Sequence, residues 1–198
     1  MKNTHYKNLP VGYEEDYKLD STSKKMKVAA NVYSLIVLFV VLFITILIRA
    51  LTVGIEIVIP ELGAYSIKLL IFIFAMLAYI CLHEIVHGIA YKLMTKEKLT
   101  FGLKLPVAYC GVKDIYTTKK TALIALLSPF VVFNFVFIIP LFFIKDGLDY
   151  SICAFLLSMH VSGCIFDLYD TYLLLFKYKN KDVLLYDDGP TQTFYIKK

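Results

Sequence analysis

Charge is scarce in this sequence. Only 19% of its 198 residues are Asp, Glu, Lys or Arg, 59% are hydrophobic, and the mean hydropathy is +0.67. A chain with so little polar surface belongs to the membrane class, with the lipid bilayer as its surroundings. Arginine is almost missing: Arg49 is the only one among 21 basic residues, a bias that reads as genome composition. The net charge of +5 is small and no nucleic-acid motif is present. The lysines sit on loops beside apolar runs, where membrane orientation explains them, so no nucleic-acid partner is expected. Cys81, Cys110, Cys153 and Cys164 form no C-x-x-C, and three of them lie in apolar runs. Disulfides are therefore not expected, and small apolar packing residues are. Internal repeats are missing too. No cleavable signal is expected, because the first apolar run follows 27 polar residues and is too long for an h-region.

What the chain does have is apolar length. Runs at about 28–51, 66–94, 121–144 and 150–176 are each long enough to cross a bilayer. The first, at ~1.5 Å per residue, reaches ~36 Å. These runs predict an all-α polytopic membrane protein of about four transmembrane helices with a short cytosolic β-strand or hairpin segment. Three parts are expected: a cytosolic arm over 1–27, a membrane-embedded domain over 28–176 and a cytosolic tail over 177–198. The arm is expected to hold a short strand or an amphipathic turn. Residues 53–60 alternate partly and are expected to lie at the interface or to re-enter. Leu99, Phe101, Leu103 and Leu105 alternate with Thr100, Gly102, Lys104 and Pro106, which predicts an extended segment or hairpin over 98–112. Leu185 to Pro190 reads as a turn between two short strand-like runs. Ser128-Pro129 interrupts the third run, and a proline inside a membrane helix frees a carbonyl and often marks a kink beside a site.

Lysine placement gives the orientation. Eighteen lysines fall in the arm, the 92–120 connection and the tail, against Arg49, Lys68 and Lys145 on the opposite side. The positive-inside rule puts both termini and that connection in the cytosol.

The chemistry-bearing stretch is His83-Glu84-Ile85-Val86-His87, an H-E-x-x-H near the end of the second run. On a helix His83 and His87 share one face. Two imidazoles there can grip one Zn²⁺, and Glu84 can take a proton from the metal-bound water. Ionisable groups at membrane depth are costly and by default functional. A catalytic zinc wants a third protein ligand. Leu93 stands where the extended metzincin pattern needs His, and no Glu follows Glu97. Only Asp167 and Asp170 lie inside a later run. Counting inward from the outer ends of the second and fourth runs puts His83 ~23 Å and Asp167 ~26 Å deep. Asp167 is therefore the first choice, with Asp170, one turn away on the same face, as the alternative. His160 and Asn134 are the remaining polar candidates, as substrate-binding groups.

At this point the chain resembles the site-2 protease superfamily of intramembrane zinc metalloproteases. It is most similar to a group of small bacterial membrane proteins described as putative zincin peptidases. The matching residues are His83-Glu84-Ile85-Val86-His87, Ser128-Pro129 and Ser162-Gly163-Cys164-Ile165-Phe166-Asp167-Leu168-Tyr169. The resemblance covers roughly residues 66–176. It implies that His83, His87 and Asp167 bind zinc, that Glu84 is the base, and that the membrane is a bacterial cytoplasmic membrane. The chain departs from better-known site-2 proteases in lacking Asp-Gly at the third ligand and a PDZ domain, and Asn134 stands five residues after Pro129. The expected function is hydrolysis of peptide bonds in a membrane protein or peptide substrate. The alternatives are a zinc-dependent hydrolase of a small or lipid substrate, a non-proteolytic zinc-binding membrane protein, and a purely structural membrane scaffold.

Overall fold

The computed structural model describes residues 3–54, 62–104, 107–112, 114–188 and 191–198. Long apolar sequence becomes long helix: α1 runs Lys24–Thr52, α2 Leu62–Thr95 and α3 Lys119–Leu141. Their most apolar windows have mean hydropathies of 2.8, 2.4 and 2.6, and only 6% of the first two windows is covered by protein. All three are long and apolar enough to cross a membrane, and the bare faces of α1 and α2 are what hydrocarbon would cover. The expected fourth span divides at Cys164. There α4 (Gly147–Gly163) gives way to α5 (Ile165–Tyr172), which continues as a π-helical turn over Leu173–Lys177. The two parts are bent by 43°, so a fourth span exists only if the bent pair is counted as one.

The helix ends have local causes. Ser23 caps α1 by accepting the Met26 N–H, just after Asp20 Oδ1 accepts the Thr22 N–H at 2.8 Å. Gly54 ends α1 in the left-handed region, φ +89°, with its N–H on the Arg49 carbonyl. Asp146 caps α4 by accepting the Asp149 N–H.

The expectation of an all-α chain fails. The short strands are β1 (His5–Tyr6), β2 (Tyr13–Asp20), β3 (Thr100–Lys104), β4 (Val107–Gly111), β5 (Tyr116–Thr118), β6 (Val183–Asp187) and β7 (Thr191–Lys197). β3 and β4 form the expected hairpin over the 98–112 stretch. The other five make one antiparallel sheet in the order β1-β5-β6-β7-β2, so the protein is mixed α/β. The reason for the miss is physical. The sheet is assembled from the arm, the residues before α3 and the tail, so three of its four pairings are non-local and only β6–β7 is a local one. Read alone, β2 (Tyr-Glu-Glu-Asp-Tyr-Lys-Leu-Asp) looks like a solvated arm, because only Tyr17 and Leu19 carry apolar bulk inward.

The chain forms two units: Met1–Ala30 with Leu82–Pro129 and Phe166–Lys198, and Asn31–Cys81 with Phe130–Ile165. The first contains the sheet. Its core joins Val183, Leu185 and Phe194 of the sheet to Ala122 and Leu126 of α3 and to Leu173, Leu174 and Tyr178. Tyr178 stacks on Phe194 with centroids 5.4 Å apart. Because β5 leads straight into α3, and β6 follows the π-helical turn closely, the sheet pins the ends of the two helices that matter below. In the second unit Arg49 donates to the carbonyls of Ile144 and Lys145 and lies over the Tyr150 ring. Tyr150 in turn donates to the Thr45 carbonyl, and Lys68 pairs with Asp146 and Asp149. Residues 55–61, where most of the expected interfacial segment falls, lie outside the described residues.

Candidate metal centre

Helical spacing places His83 and His87 on one face of α2, and both are buried. Their rings sit edge to face with centroids 5.0 Å apart. Asp167, in the first turn of α5, completes the group: its Oδ2 is 3.5 Å from His83 Nε2 and 3.4 Å from His87 Nε2. One donor atom from each of the three lies within 4.8 Å of the others.

These separations test whether the set fits zinc. Tetrahedral zinc with bonds of ~2.0–2.1 Å puts its ligand atoms ~3.3–3.4 Å from one another. The observed 3.4 and 3.5 Å match that spacing, and they are long for direct charge-assisted hydrogen bonds, which run ~2.7–2.9 Å. Two imidazoles and one carboxylate are also a donor set that zinc accepts, with a fourth position left over for water or substrate. The residues fit the metal.

The histidines are held from behind. His87 Nδ1 donates to the Ala125 carbonyl on α3 at 2.8 Å. One turn further along α2, Ala90 and Tyr91 pack with Val112, Ile115 and Ala125 in a buried cluster joined by Leu99. This packing fixes the His87 turn against α3. Tyr91 also donates to Asp187 Oδ2 at 3.4 Å, linking α2 to β6. Sequence reading passed over Ala125 because a carbonyl belongs to every residue; the only mark nearby is Pro129.

Glu84 lies between the histidines in sequence and is half-buried. Asp170 does not join the group of three. It is 1% exposed, and its Oδ1 has no hydrogen-bond partner among the described residues. Asn134 and His160 belong to the second unit. Asn134 donates to the Phe130 carbonyl within its own helix at 2.8 Å. His160 is fully buried among Phe130, Phe133 and Phe137. Its Nε2 is 3.3 Å from the Phe130 carbonyl and its Nδ1 2.9 Å from the Tyr79 hydroxyl. A carbonyl can only accept, so Nε2 carries the hydrogen and Tyr79 donates to Nδ1. Tyr79 was not singled out from the sequence, where an aromatic in an apolar run looks like packing.

Among known proteins, the family described as "Putative zincin peptidase" matches residues 76–183 of this chain, a stretch that holds the histidine pair, Glu84 and Asp167. No curated protein and no solved structure matches.

Proposed function

The chain belongs to the putative zincin peptidase family, a zinc metallopeptidase family, and on that premise we propose that it is an intramembrane metalloprotease of the site-2 protease type, cutting peptide bonds of membrane-associated substrates. The observation that carries the proposal is the approach of Asp167 Oδ2 to both histidine Nε2 atoms, in a chain with three apolar helices long enough to span a bilayer. His83, His87 and Asp167 would hold the zinc. When bound, zinc polarises a scissile carbonyl and lowers the pKa of a water toward neutrality.

The chain's own residues do the rest. Glu84 takes the proton of the attacking water and returns it to the leaving amine. His87, tied to Ala125, keeps its Nε2 aimed at Asp167. A substrate helix hides its amides in its own hydrogen bonds and must unwind before attack. β3 and β4 pair only with each other among the described residues, so their outer edges offer a ladder for an extended substrate strand. In this reading residues 28–176 are the membrane-embedded domain of a protein in a bacterial cytoplasmic membrane, with the arm, the tail and the hairpin in the cytosol.

Zinc analysis of purified protein tests the site. About one Zn²⁺ per chain is expected, lost in His83→Ala and His87→Ala. Asp167→Ala is expected to weaken zinc more than Asp170→Ala, by about 10-fold or more, since it removes a ligand rather than a neighbour. Stoichiometric zinc in the double histidine variant would overturn the reading.

A further inference from the structure

Pro129 is completely buried within α3, which runs unbroken from Lys119 to Leu141. A proline has no N–H, so the carbonyl four residues earlier loses its helical partner. That carbonyl belongs to Ala125. It is the same oxygen that accepts His87 Nδ1 at 2.8 Å, and it also accepts Ser128 Oγ at 2.8 Å. A carbonyl oxygen has two lone pairs, and these two donors use both. With an ordinary residue at 129, its N–H would compete for the same oxygen.

We propose that Pro129 is a positioning residue for the metal site: it strips the Ala125 carbonyl of its helical hydrogen bond so that this oxygen can fix the ring of His87. The proposal rests on the reading of His87 as a metal ligand. The carbonyl can only accept, so it selects the ring form with hydrogen on Nδ1 and leaves the Nε2 lone pair facing Asp167. Outer partners of this kind set both the tautomer and the orientation of a ligating imidazole. A bland role, a kink or a packing plug, would use the ring of Pro129 but not the missing N–H. The capture of the freed oxygen by a histidine from another helix is what points to the missing N–H.

The two roles separate experimentally. Alanine is a far better helix former than proline, so Pro129→Ala is expected to melt at the wild-type temperature or above. Its zinc affinity, measured by competition with a chromophoric chelator, is expected to fall about 10- to 100-fold. Ser128→Ala removes only the second donor to the same oxygen and is expected to keep wild-type affinity. Wild-type affinity in Pro129→Ala, beside abolished binding in His87→Ala, would overturn the proposal and leave the metal site standing. An equal loss in Ser128→Ala and Pro129→Ala would also overturn it, because any disturbance of this turn of α3 would then suffice. Unchanged zinc binding in His87→Ala would overturn the site and the proposal together. Should Pro129→Ala not fold, ¹⁵N spectra of His87 in the zinc-loaded wild-type protein decide. Hydrogen on Nδ1 with zinc on Nε2 is expected, and zinc on Nδ1 with hydrogen on Nε2 would overturn the proposal.

Discussion

The hydroxyl of Tyr178 donates to Asp16 Oδ2 at 2.6 Å, joining two residues 162 positions apart. The contact exists because β2 carries a bulge. Glu15 pairs with Tyr195 and Tyr17 with Phe194, so Asp16 is the extra residue, turned out of the ladder. Lys177 Nζ reaches the same oxygen at 3.0 Å. The arm is thus fastened to the end of the last helix.

This fastening has a pH signature. The Tyr178 hydroxyl, then Lys177, hold the Asp16 carboxyl below its ordinary value of 3.8. A depressed carboxylate stabilises the fold above its unfolded value, and that stabilisation is lost as pH falls through the folded value. Burial, then Asp16, push Tyr178 up to about 12 from 10.0. That contribution is whole below pH 10 and is lost as pH rises toward 12. Melting in detergent is therefore expected to weaken below about pH 4 and again above about pH 10. Tyr178→Phe is expected to cost about 1.5–3 kcal/mol at neutral pH and to blunt the acid limb. An unchanged acid limb would show that the contact carries no stability.

Tyr79→Phe isolates the polar group buried in the second unit. It leaves His160 Nδ1 without the hydroxyl that donates to it, so a loss of about 1–3 kcal/mol is expected, with zinc content unchanged. Calorimetry beside metal analysis checks both halves. A stability equal to wild type would mean that the Cys164 thiol, whose Sγ is 3.7 Å from the same nitrogen, takes over as donor.

Orientation is tested with reporter fusions. A reporter after Lys198, or ahead of Tyr13, is expected to be active only when it works in the cytosol. Activity confined to the outside would reverse the lysine argument and move the hairpin away from cytosolic substrates.

The sequence disclosed some of this and hid the rest for definite reasons. Apolar length shows α1, α2 and α3 because burial in lipid demands it locally. The neighbourhood of Asp167 and the histidine pair could be reached by counting depth along two runs, since helical rise is constant. Depth also put Asp167 ahead of Asp170 as first choice; the rotation of α5 that turns Asp167 toward the histidines follows the break at Cys164, which nothing nearby except Gly163 marks. The five-stranded sheet stayed hidden because, apart from β6 and β7 on either side of the turn signal at 185–190, its strands pair with partners far away in sequence. Pro129 was legible as an oddity, but the histidine that uses its freed carbonyl comes from another helix.

Cleavage by the Glu84→Gln variant tests the central claim most directly. Gln is nearly isosteric and its neutral amide is easier to hold at membrane depth, so zinc and fold are expected to persist. It cannot accept a proton from the attacking water, so turnover of a membrane substrate with helix-breaking residues in its span is expected to fall by at least ~10²-fold. Cleavage at the wild-type rate, with zinc still bound, would contradict the metalloprotease mechanism.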